Sequence, residues 1–198
     1  MSNINFFRVM AKCNGGTPIT NGGTPITPPF VPQYLMITYQ FTDGSDLDTR
    51  TGIITPNVGQ DTQPEYLGWG VKSQWPSTSP YLLWGGDNKG TGFESVLLYI
   101  DNFAALYPSD PNITIDLSCF WYETVGSNPV NVNVTLWKGG TPVQSGFVWT
   151  NPTAINTYNV VSDSKLITLH TQSVITSGQR IAYLSYNIPT GTGNLNYE

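Results

Sequence analysis

VNVNVTLW, residues 130 to 137, alternates Val130, Val132, Val134 and Leu136 with Asn131, Asn133, Thr135 and Trp137. Successive side chains of a strand leave on opposite faces, so this period of two reads as a half-buried β-strand. Trp137 falls in the outward set with the asparagines, where a ligand or a partner would have to cover it. YLMITYQF, residues 34 to 41, repeats the pattern with Leu35, Ile37, Tyr39 and Phe41 on one face. Further strands are predicted at Glu94–Ile100, Asn112–Glu123, Val143–Trp149, Lys165–His170 and Gln179–Asn187, with KGGTP (138–142) as a hairpin turn. DNFAALYP predicts one helical turn, capped by Asp101 and stopped by Pro108. Seven or eight short strands punctuated by Gly, Pro and Asn predict an all-β chain, an antiparallel β-sandwich of jelly-roll or Ig-like kind.

Composition points the same way. Of 198 residues only 11% are charged, while Gly 20 and Pro 15 favour strands joined by turns, and 13% aromatic residues mark a chain that folds. A net charge of -5 without a basic cluster removes the electrostatic term on which nucleic-acid binding depends. No apolar stretch approaches the roughly 20 residues of a membrane span, and MSNINFFRVMAKCNGG lacks the apolar region of a secretory signal, so a chain made in a cytoplasm is expected. Cys13 and Cys119 share no metal-binding or redox spacing and read as reduced thiols.

Residues 1–33 carry GGTPIT at 15–20 and again at 22–27, then Pro28, Pro29 and Pro32. Such a segment builds neither a helix nor a core of its own, so an extended N-terminal arm (1–33) precedes a β-domain (34–198). Phe6, Phe7 and Val9 are the arm's candidates for burial against a partner. On the body, Trp69, Trp75 and Tyr81 are the aromatic candidates for the centre of a contact. The single His170 has no nucleophile or carboxylate signature beside it, and no catalytic residue is assigned. FTDGSDLDTR (41–50) and WGGDNKGTGFE (84–94) gather Asp46, Asp48, Asp87, Asn88 and Glu94. Alternate carboxylates on a strand, with glycines that turn carbonyls inward, suit a hard cation; the same dipeptides also make ordinary solvated turns.

The DLD strand end followed by GDN, a Gly-containing loop, an acidic residue and a strand resembles the tellurite-resistance TerD-like calcium-binding β-sandwiches. The resemblance implies one calcium ion at Asp46, Asp48, Asp87, Asn88 and Glu94, although KGTGF lacks that family's run of carboxylates. From residue 34 onward, TDGSDLDTRTGIITPN, GGDNKGTGFESVLLYIDNFAALYP and FWYETVGSNPVNVNVTLWKGGT look like small virion proteins of crAss-like phages of gut Bacteroidales. That resemblance implies a virion structural protein made in a bacterial host's cytoplasm. It would be a head-associated auxiliary, decoration or head-fibre protein, held in multiple copies to capsid or fibre proteins through its arm. Two alternatives are a glycan-binding module of a tail or fibre, using exposed tryptophans, and a polysaccharide hydrolase. The hydrolase needs two carboxylates across a groove at roughly 5 to 9.5 Å.

Overall fold

The computed structural model describes residues 23–56 and 66–197, with the side chains of 161–163 left outside the description. Fourteen strands and one helix follow in chain order: β1 (Thr24–Ile26), β2 (Tyr34–Phe41), β3 (Ser45–Thr55), β4 (Tyr66–Leu67), β5 (Gln74–Trp75), β6 (Leu82–Trp84), β7 (Gly92–Tyr99), α1 (Ile100–Leu106), β8 (Asn112–Thr124), β9 (Val130–Lys138), β10 (Val143–Ser145), β11 (Val148–Thr150), β12 (Asn156–Lys165), β13 (Gln179–Asn187) and β14 (Thr192–Tyr197). They form a first sheet in the order β1-β14-β13-β8-β3-β4, a second in the order β12-β9-β2-β7-β6-β5, and a small β10-β11 ribbon. The described residues are thus predominantly antiparallel β-sheet, in keeping with an all-β chain.

Both large sheets contribute to one hydrophobic core. Leu35, Ile37 and Tyr39 of β2, Val96 and Leu98 of β7, and Val132 and Val134 of β9 meet Ile115 and Leu117 of β8 and Leu184 of β13. Alternation made these strands legible: each turns apolar side chains to the core and its other face away. Tyr39 crosses from the second sheet to share a 2.7 Å hydrogen bond with Thr51 Oγ1 of β3 in the first.

Several expectations need correction. β9 does not fold back at KGGTP; it pairs with β2 and β12. The expected strand at 143–149 is instead a tight ribbon, β10 and β11, around Gly146 at φ 61°. That ribbon lies over the outer face of the second sheet, where Val148, Trp149 and Ala154 pack on Met36, Leu97 and Trp137. Trp137 is therefore 5% exposed, covered by its own chain rather than by a ligand or partner. Residues 166–170 are not a strand beyond a single bridge from His170 to Trp121, because their backbone is bonded otherwise. Gln179 Oε1 accepts from the amides of Thr168 and Leu169, at 2.8 and 3.0 Å. Asp101 does not cap α1; the N-cap is Tyr99, without a side-chain bond, and Asp101 accepts from Gln33 Nε2 at 3.1 Å.

The end of the expected arm belongs to the first sheet. Thr24–Ile26 pairs with Gly193–Leu195 of β14, and Ile26 is fully buried in the core. Phe6, Phe7 and Val9 lie outside the described residues.

Candidate functional site

The stretch that holds the acidic motif forms β3, beside β8 in the first sheet. Its residues 46–53 are all buried, polar ones included. Leu47, Thr49, Thr51 and Ile53 lie opposite the core residues Trp121, Cys119, Leu117 and Ile115, which leaves Asp48 and Arg50 on the outer face, opposite Phe120 and Ser118. The register slips between Ser45 and Leu47, and Asp46 there takes φ 57°, a left-handed conformation that Asp tolerates better than most residues. Simple alternation from Asp48 to Asp46 therefore fails, and the bulge aims Asp46 separately.

The second acidic motif is the loop between β6 and β7. Asn88 organises it from within: its Oδ1 accepts from the Gly90 amide at 3.1 Å and its Nδ2 donates to the carbonyls of Thr91 and Phe93, each at 3.3 Å. Asn88 also donates its backbone N–H to Glu94 Oε1 at 2.9 Å. Glu94 points into the core, where Thr49 Oγ1 donates to its Oε2 at 2.5 Å and Trp84 Nε1 at 3.4 Å. Burial pushes this carboxyl up to about 8, with the three donors opposing.

Asp46, Asp48 and Asp87 meet at the surface end of this assembly. Burial raises Asp48 to about 6 against the pull of Arg50, with Asp46 and Asp87 adding repulsion. Burial, then Asp87, raises Asp46, while Lys89 opposes. Asp48 Oδ1 lies 3.6 Å from Arg50 Nη1, an ion pair too long for a hydrogen bond, and Asp48 Oδ1 and Asp87 Oδ1 are buried without hydrogen-bond partners. A buried, unsatisfied carboxylate oxygen costs about 1–3 kcal/mol or more, so these atoms call for a cation or a proton. Three oxygen-donating carboxylates suit a hard ion such as calcium. Asn88 and Glu94 do not fit as ligands, because their donor atoms are committed. Among the described residues no group of three such side chains stands in ligating geometry, so a bound ion would have to draw the three aspartates together. Asp43 is engaged elsewhere: it clasps the turn before β9, accepting from Ser127 Oγ at 2.6 Å and from the Ser127 amide at 2.9 Å.

Arg50, absent from the expected site, joins this cluster to a surface. It is fully buried, and its guanidinium donates to the carbonyls of Thr49, Trp69 and Ile175, each at 2.8 Å. It also lies over the Phe120 ring at 4.8 Å. Gly68 makes the approach possible: a Cβ there would clash with Thr49 O and Arg50 Nη1. One side chain thus fixes two loops that display Trp69, 50% exposed, and Val174, 54% exposed. Lys89 spans the gap, with Nζ 4.0 Å from Asp87 Oδ2 and 5.7 Å from the centre of the Trp69 ring. On the same outer face Asp116 accepts two bonds from Arg180, at 2.8 and 2.9 Å, and one from Tyr66 Oη at 2.6 Å.

The other aromatic candidates differ from expectation. Tyr81 is buried completely and packs edge-on against Phe103 at 5.1 Å, so it has no surface to offer a partner. Trp75 packs partly buried on the core, with Lys72 Nζ 4.0 Å over its ring. Of the six tryptophans only Trp69 is exposed, so they form no flat row. Cys119 is a free, buried thiol. Comparison with models of protein families, with curated proteins and with solved structures finds no match for the chain.

Proposed function

We propose that this chain is a structural protein of a phage virion, a head-associated auxiliary, decoration or head-fibre protein held to the capsid through its N-terminal arm. The carrying observation is the platform of Trp69 and Val174, whose two loops share the buried guanidinium of Arg50. An apolar patch held in place before contact loses little conformational freedom on binding, and a large aromatic side chain on such a patch is the usual centre of an interface. One calcium ion among Asp46, Asp48 and Asp87 belongs to the same reading. It would satisfy the orphaned oxygens, tie the β6-β7 loop to β3, and so stiffen the ground beside Trp69 through Lys89 and Arg50.

We read the two large sheets as the halves of an antiparallel sandwich, nearer to a jelly roll than to an Ig-like fold. The chain changes sheet between β1 and β2, β2 and β3, β4 and β5, β7 and β8, β8 and β9, and β12 and β13, and that repeated alternation supports the reading. The test of function is incorporation. Trp69→Ala should lower the copy number of the chain in purified particles while leaving its melting temperature unchanged; undiminished incorporation would remove the platform from the account.

A glycan-binding role has one observation in its favour. A shallow depression of about 350 Å³ on β8, β13 and β14 is lined by Asn112, Thr114, Ser185, Asn187, Thr192 and Asn194. Such amides and hydroxyls suit sugar hydroxyls. Binding on a glycan array that is lost in Asn187→Ala would favour this reading over the first.

A further inference from the structure

The edge strand β1 is short, yet its dock on β14 makes three separate demands. Ile26 fills a fully buried core position. Thr24 Oγ1 lies 3.4 Å from Tyr197 Oη, within hydrogen-bonding reach. Gly23 runs so close to β14 that an added Cβ would stand 2.6 Å from the side chains of Asn194 and Asn196 and 2.7 Å from Leu195 O. The dock therefore selects Gly-Thr-Pro-Ile. That sequence occurs twice, and the match extends over seven residues, with Asn14–Thr20 and Asn21–Thr27 identical at every position.

We propose that the β14 edge is a dock with two interchangeable occupants in one chain: Thr17–Ile19 takes the place of Thr24–Ile26 when the latter leaves. This goes beyond the proposed function; the exchange itself does not rest on that reading, and only its use as a tether does. In the alternative register Gly16 meets the close approach, Thr17 reaches Tyr197, Pro18 faces Asn194 and Ile19 enters the core. From Gly to Thr the dock meets the same residues in either register; just beyond them Asn21 stands where Pro28 is buried. The segment joining the dock to β2 then doubles, from residues 27–33 to 20–33. Doubling a flexible loop by itself lowers the closed population only about threefold; the loss of the buried Pro28 contact adds to that cost, so the second register is a small minority in the parent chain. The chain preceding the dock becomes shorter by one repeat, which brings whatever it carries up to about 25 Å nearer the body. The repeat is thus a length adjustment for a tether, set by which copy is docked.

The experiment uses the full chain with Cys13→Ser. Pro25 faces Asn194 in the described register. Pro25→Cys with Asn194→Cys should therefore cross-link oxidatively, and Pro18→Cys with Asn194→Cys should do so as a minority product. Adding Ile26→Asp should make the 18–194 cross-link dominant, in a monomer, with hydrogen-exchange protection of β14 kept within about tenfold of the parent, the threefold loop cost included. Ile19→Asp with Ile26→Asp should lose that protection. The proposal is overturned if the single Ile26→Asp variant is as deprotected as the double one, or if the 18–194 cross-link joins only different chains.

Discussion

Glu94 offers the sharpest perturbation, because a carboxyl buried in the core beneath an acidic loop must leave a mark on stability. Its ordinary value is 4.5 and burial raises it to about 8; Asp48 moves from 3.8 to about 6. Both groups bind protons more readily in the folded chain than in the unfolded one. The stability they contribute is complete below about pH 4 and is lost as pH rises through 6 for Asp48 and 8 for Glu94. For Glu94 the displacement corresponds to about 5 kcal/mol at 1.36 kcal/mol per pH unit, taken as a ceiling. At about 2–4 °C per kcal/mol for a chain of this size, the melting midpoint should fall by roughly 10–20 °C between pH 4.5 and 9. Glu94→Gln imitates the protonated acid, keeping an acceptor for the Asn88 amide and removing the titration. The assay is a series of thermal melts in chelator. Wild type and Glu94→Gln should coincide below about pH 4.5, diverge steadily from there to about pH 8 with the variant the more stable, and keep a constant gap above it. Parallel curves across the whole range would refute the reasoning.

Calcium should raise the melting midpoint at pH 7.5 by about 5–10 °C at a hundredfold excess over its dissociation constant, an effect that chelator reverses and Asp48→Asn abolishes; identical melts with and without calcium would remove the ion. Arg50→Met strips Asp48 of its cation and three carbonyls of their donor, so it should cost about 3–5 kcal/mol by denaturant titration and expose the loops at Trp69 and Ile175 to protease. Trp137→Ala should cost about 3–5 kcal/mol in the same titration and raise amide exchange in β10 and β11 before the rest of the chain, since that ribbon rests on the indole.

Strands such as β2, β9 and β13 were legible because one face meets the core and the other carries polar or partly exposed residues, so the period of two survives in the residue types. β3 hid for the opposite reason. Loops carrying Trp69 and Ile175 cover its outer face, so Asp48 and Arg50 are buried there while Thr49 and Thr51 put polar groups on the core face, and the run DLDTRTG shows no apolar alternation. Trp137 illustrates a related limit: a chain excursion can return to cover a face, and nothing in VNVNVTLW announces that residues 143–154 will do so. At the site, DLD and GDN sufficed to nominate Asp46, Asp48 and Asp87. The bulge at Asp46, the inward turn of Glu94 and the internal bonding of Asn88 depend on partners far away in sequence. Arg50 had one available signal, its position two residues from Asp48, which on a strand puts both on one face.

The central claim is that the Arg50-held platform is a contact surface in a particle, and photo-cross-linking in assembled virions tests it most directly. A photoreactive residue in place of Trp69, carried into purified particles of a phage that encodes the chain, should cross-link to a capsid or fibre protein at a defined peptide; the same probe at exposed Ile155 should give far less product. Absence of the chain from purified particles, or equal and scattered cross-linking from both positions, would contradict the account.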